Sequence, residues 1–312
     1  MGKAMTQRGL SDKFMQDLKQ GILFPFLDRV QQDTTLDLEI RNDYLNIYYR
    51  GGSMFRISPA TRFDGYEVAF DTNYTSSSTK ALLKLPKNAI ACSDDAKEWV
   101  AHIPQLKDTM DLWFGKHPKD ERALQQLVAW ENNTSPWANG TDYFVIDIEY
   151  DNHKGARFDL VALRWDSTAS ARKLAKDYAP RLVIIEMKAG DGATDGDSGI
   201  LGHIGKTQNF LKSDDQVACF KTEMLRVFSQ KRDLGLIKTL RKNPYEVTAV
   251  ANKIDFMFLF VGHDPSSQKM FRSLNVIEDT CCNTQVCVAN FMGFGLYGEG
   301  VYSLEDFKTR MS

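Results

Sequence analysis

The chain has 312 residues, of which 43% are hydrophobic and 26% charged, and its formal net charge is −2. That balance is ordinary for a folded globular protein and excludes a low-complexity or uniformly basic chain, so any nucleic-acid binding has to rest on local charge. The length suits one large domain or two of moderate size.

From the N-terminus, the pattern predicts a helix over 11–30. Strands follow over 36–41, 44–49, 53–57 and 66–70. Gly51-Gly52 between two alternating, aromatic-rich runs predicts a hairpin, and the polar stretch 71–79 reads as a loop. Residues 1–95 are therefore expected to form a β-rich module whose role the residues do not reveal. Residues 96–135 read as helical: Leu124, Leu127, Val128 and Trp130 fall at helical spacing, with Asp120 and Glu121 at the start, where the helix dipole favours acids. Three strands are predicted at 143–150, 157–165 and 182–187. A Gly/Asp-rich loop over 189–202 and helices over 203–211 and 216–242 follow. A further strand at 253–262 and extended segments near 287–294 complete the order. The expectation is an α/β fold of the α+β type over 96–312, with a mixed central sheet flanked by helices.

Cys92, Cys219, Cys281, Cys282 and Cys287 are odd in number and lack framework or zinc-finger spacing. They read as free thiols in a reducing, cytoplasmic setting. The first ten residues hold no apolar signal core, and the apolar run from Phe256 to Val261 is too short to span a bilayer. No membrane partner is expected.

The chemistry concentrates in Leu182-Val-Ile-Ile-Glu-Met-Lys-Ala-Gly190. Strand side chains alternate faces, so Glu186 and Lys188 project the same way, about 6.6 Å apart, while Met187 points to the other face. An apolar strand seldom ends on two charges unless something there needs them. A second carboxylate, Asp159, lies on the preceding apolar run, Arg157-Phe-Asp-Leu-Val-Ala-Leu-Arg-Trp165. Two carboxylates and a backbone carbonyl make a hard oxygen site for Mg²⁺ or Mn²⁺, and a lysine beside it can steady charge on a phosphate under attack.

Glu121 on a helix, Asp159 on a strand and Glu186-Met187-Lys188 at the end of the next strand resemble the PD-(D/E)XK nuclease superfamily. Glu121-Arg-Ala-Leu also resembles the opening of the helix in its resolvase members. The resemblance covers roughly residues 115–262 and implies a restriction-endonuclease-like fold and a metal-dependent nuclease, with DNA as the expected substrate. It implies Asp159, Glu186 and the Met187 carbonyl as metal ligands, Lys188 as the catalytic cation and Glu121 as an accessory carboxylate. His203 and Gln208 are supporting candidates, Gln208 standing where some relatives carry a glutamine. Phe158 replaces the name-giving proline, and the connection from Asp159 to Glu186 is longer than a tight hairpin. The resemblance also admits a homodimer, a partner subunit, or a nuclease-like binding or regulatory domain without catalysis.

Each residue has a plainer reading beside this one. Glu186 and Lys188 can be a charge ladder on a wet sheet face, although Val183 to Ile185 look buried on both faces. Asp159 can be a turn residue and Glu121 an ordinary first-turn acid. Asp147 and Glu149 share a strand face and could join the acidic cluster, but they read as solvated alternation. The basic stretch Lys221–Lys242 fits either a phosphate-tracking helix or a solvated one, and Tyr44, Tyr48 and Tyr49 read as core rather than base-stacking platforms. Gly293-Phe-Gly-Leu-Tyr-Gly298 has too little chain after it for a dinucleotide unit, and Gly205-Lys206-Thr207 lacks the first glycine of a phosphate loop.

Overall fold

The computed structural model describes residues 8–136, 140–190, 199–262, 268–275, 277, 283–289, 296 and 298–311. The chain forms two compact units, one of Met1–Gln126 with Gln230–Leu236 and one of Leu127–Ser229 with Ile237–Ser312. Among the described residues no helix is long and apolar enough to cross a membrane.

In the first unit, helices α1 (Asp12–Gln20) and α2 (Phe24–Gln32) stand where one continuous helix was expected. Gly21 makes the break: a Cβ there would lie 2.7 Å from the Asp17 Cα, and Pro25 starts the next helix. Strands β1 (Leu36–Ile40), β2 (Leu45–Tyr49), β3 (Gly52–Pro59), β4 (Tyr66–Phe70) and β5 (Ala89–Ile90) form an antiparallel sheet in that order. Arg50 and Gly51, with φ of 48° and 71°, close the β2–β3 hairpin, the positive pair that a tight primed turn requires. The expected loop over 71–79 instead leads into α3 (Ser77–Leu82), which Ser76 and Thr79 open with a capping box.

The unit extends beyond residue 95, where the sequence reading placed its end, because α4 (Ser93–Phe114) belongs to its core. Trp99, Ile103, Leu106 and Met110 of α4 are fully buried. Trp99 meets Phe55 edge-on at 5.5 Å and donates its indole N–H to the Lys87 carbonyl. Tyr48 and Tyr49 are buried, as core packing requires.

The second unit holds a six-stranded mixed sheet. Its strands, in spatial order, are β6 (Tyr143–Asp151), β7 (Arg157–Arg164), β8 (Arg181–Ala189), β9 (Asp255–Val261), β10 (Thr284–Ala289) and β11 (Tyr302–Ser303). β6, β7 and β8 are antiparallel neighbours, β8, β9 and β10 run parallel, and β11 returns antiparallel. β8 is buried from Leu182 to Lys188 and β9 along its length, so the sheet is covered on both faces. The register of β6 against β7 shifts between Val145 and Asp147. There the Asn133 side chain, near the end of α5 (Asp120–Asn133), both donates to the Val145 carbonyl and accepts from its N–H.

Short helix α6 (Ala169–Arg172) fills the connection from β7 to β8. Helices α7 (Ile200–Leu211) and α8 (Asp214–Asp233) precede β9, while α9 (Lys269–Asn275) and α10 (Leu304–Met311) complete the chain order. α8 ends nine residues short of the expected Lys242. Gly235, with φ of 67°, sends its N–H to the Arg232 carbonyl and turns the chain out of the helix.

Candidate active site

The pairing of β7 with β8 runs from Arg164–Arg181 to Leu160–Ile185, although β7 starts at Arg157 and β8 continues to Ala189. Beyond Leu160 the two strands part, and main-chain groups lose their ladder partners. Asp159 takes over one of them: its Oδ2 accepts the Met187 N–H at 2.8 Å. In a strand, the N–H and C=O of one residue face the same neighbour. The Met187 carbonyl therefore faces the same edge as the Asp159 carboxylate.

A cleft of about 270 Å³ opens where the strands diverge, and both Asp159 and Glu186 line it. The two acids meet on one side of the sheet, as a shared ion requires. Glu186 is 4% exposed and Lys188 also 4%, which rules out a wet charge ladder. The Lys188 Nζ donates to Glu186 Oε1 at 2.9 Å, and His203 Nδ1 lies 2.9 Å from Glu186 Oε2. Burial raises the Glu186 carboxyl, and the His203 bond and the Lys188 charge more than offset it, leaving it below its ordinary 4.5. Glu186 is therefore an anion at neutral pH. Lys188 does not line the cleft; its ammonium is turned onto Glu186.

His203 reaches the site from α7, and Lys206, three residues on, lines the cleft beside it, because residues i and i+3 share a helix face. Gln208 lies on α7 but does not line the cleft. Glu121 is in the first turn of α5, in the part of that helix belonging to the first unit, and does not line the cleft either. Gly205-Lys206-Thr207 is mid-helix, so no phosphate loop exists there. Gly293–Gly295 and Tyr297 of the glycine motif and the pair Cys281–Cys282 lie outside the described residues. Cys92, Cys219 and Cys287 are free thiols, and burial pushes that of Cys287 up to about 12.

Two charged residues that the sequence reading did not assign, Arg157 and Lys206, also line the cleft, and so does Glu149. The solvated-alternation reading of Asp147 and Glu149 needs correction. Asp147 is 0% exposed, and Glu149 turns into the cleft with a φ of 55°. Continuing the β6–β7 register through Ile148–Leu160 and Tyr150–Phe158 sets Glu149 opposite Asp159. Phe158, in the place of the proline, stacks on Tyr150 at 5.7 Å and meets Phe210 and Phe220 edge-on. It anchors β7 to α7 and α8 through ring contacts.

The basic stretch of α8 and its continuation divides. Lys231 is 1% exposed and bonds Glu39 Oε1 at 2.6 Å inside the first unit. Lys221 donates to the Asn252 carbonyl. Lys231 is thus neither a solvated nor a phosphate-tracking residue.

Among the described residues no group of three or more His, Cys, Asp or Glu gathers as a metal cluster. The hard donors that line the cleft are the carboxylates of Asp159, Glu186 and Glu149. No protein-family model, curated protein or solved structure matches the chain.

Proposed function

We propose that the chain is a divalent-metal-dependent nuclease of the PD-(D/E)XK type that hydrolyses phosphodiester bonds in DNA. The observation that carries this reading is the shared cleft of Asp159 and Glu186, with Lys188 bound to Glu186. The meander β6–β7–β8 followed by helices and a parallel β9 supports the same reading.

Mg²⁺ or Mn²⁺ fits the donor chemistry: Asp159 and Glu186 would hold the ion with the Met187 carbonyl, all hard oxygen donors. When bound, such an ion polarises a phosphate oxygen and makes hydroxide accessible near neutral pH. The protein's own groups prepare that site. Lys188 and His203 keep Glu186 ionised despite its burial, and the Met187 N–H fixes the Asp159 carboxylate. The Lys188 charge sits on Glu186 in a dry environment, where it holds that carboxylate more strongly than it would in water.

The test is incubation of the whole chain with supercoiled and linear DNA in Mg²⁺ or Mn²⁺, beside Asp159→Asn and Lys188→Met. Loss of cleavage in both variants supports the assignment. Cleavage that persists in both removes it.

A second reading, a nuclease-like domain that binds nucleic acid without cutting it, is favoured by the closed Lys188–Glu186–His203 network, in which both carboxylate oxygens already have partners. It predicts salt-sensitive DNA binding without cleavage. A third outcome, cleavage only as a homodimer or with a partner subunit, is read from activity that appears on concentration or reconstitution.

A further inference from the structure

The same cleft carries cations on two walls. Arg157 opens β7 two residues before Asp159, so it shares the Asp159 strand face at a distance of about 6.6 Å. Lys206 stands on α7 about 4.5 Å along the axis from His203, which is itself tied to Glu186. Both side chains line the cleft and both residues are exposed. Lys206 makes no ion pair among the described residues. Arg157 pairs with Asp151 at 3.4 Å, with side-chain exposures of 71% and 31%. An ion pair that open to water is weak enough for a phosphate to displace.

We infer that Arg157 and Lys206 are the phosphate grip of the cleft, holding a phosphodiester strand across the Asp159–Glu186 pair, with Asp151 as the anion that occupies Arg157 until the strand arrives. The inference rests on the nucleic-acid reading above and adds the residues that bind the backbone. Arg157 offers a planar fork matched to phosphate oxygens, and Lys206 a mobile point charge. The acids between them repel a polyanion, so cations on both walls are what lets the strand approach.

Counterion release gives the grip a signature that a structural role does not share. Each phosphate neutralised on duplex DNA contributes about −0.9 to the slope of log K against log[salt]. The assay is fluorescence anisotropy of the full chain with a short labelled DNA duplex in EDTA, across a salt series. Lys206→Ala and Arg157→Ala are each expected to flatten the slope by about 0.9, and Lys206→Arg to restore it. Lys97→Ala, which removes a surface lysine paired with Asp94, is the control and keeps the native slope. Asp151→Asn still accepts the His153 N–H through its amide oxygen but loses the competing charge. It is expected to tighten binding by roughly 2- to 5-fold at low salt. DNA binding with native slopes in both alanine variants overturns the grip and leaves the nuclease reading standing. Absence of DNA binding by the native chain at every salt concentration overturns both.

Discussion

Replacing Lys188 with Met keeps most of the side-chain volume and removes one of the two groups bound to Glu186. The carboxylate left behind is 4% exposed, with one oxygen stripped of its 2.9 Å partner. Breaking a buried pair from one side costs about 3–5 kcal/mol, on the order of a 10 °C fall in Tm for a unit of this size. The sign of the pH dependence follows from Glu186. In the native chain its carboxyl lies below 4.5, so its stabilising contribution is present above that pH and is lost as pH falls through the lower folded value. Without Lys188, two of the influences that lower the carboxyl are gone, so it sits higher in the variant than in the native chain and acid relieves the variant's penalty. The stability gap therefore narrows as pH falls below about 5. Urea titrations at pH 7 and pH 4 of the native chain, Lys188→Met, Glu186→Gln and the double variant measure this. The double variant should recover most of the loss, with a coupling energy of about 2 kcal/mol. A gap below about 1 kcal/mol at pH 7, or one equal at both pH values, would refute the buried-network argument.

Asp159→Asn keeps an oxygen for the Met187 N–H, so stability should change by less than about 1 kcal/mol while DNA cleavage falls at least about 100-fold; parallel denaturation and cleavage assays separate the two. Glu149→Gln should weaken Mn²⁺ binding about 10-fold by calorimetry and Glu121→Gln leave it unchanged, since only Glu149 lines the cleft; the reverse ranking would return the accessory role to Glu121. Lys231→Met leaves Glu39 with Arg41, 3.6 Å away, as its paired cation and should cost about 3 kcal/mol, whereas Glu39→Gln with Lys231→Met should recover part of that loss, as read by thermal denaturation.

Much of the strand carrying Glu186 and Lys188 was legible because strand alternation is a local rule. Glu186 and Lys188 share a face, β7 and β8 run where the apolar pattern put them, and Asp159 meets Glu186 on one side of the sheet. Burial was harder to read. Asp147 and Glu149 follow the same alternation, yet one is enclosed and the other turns into the cleft, because the sheet is covered on both faces and the β6 register shifts beside them. Lys206 was within reach of the sequence: three residues after His203, it had to share that helix face. Lys231 was not, since its partner Glu39 is 192 residues away. The unit boundary was missed for a similar reason. The apolar stripe of α4 gives no hint of which sheet it covers, and the return of Gln230–Leu236 to the first unit leaves no mark in local composition.

That return has a practical consequence for anyone wishing to work with one half of the protein. The chain changes units inside α5, again within α8 and a third time between Leu236 and Ile237, the first two changes falling within helical backbone. A fragment ending at Gln126 would split a helix and expose the enclosed Glu39 without its lysine. A fragment starting there would carry seven residues whose proper surroundings had been discarded. No single scissor cut liberates either half intact; separating them calls for a rewired chain in which the 230–236 segment is grafted back by a designed loop.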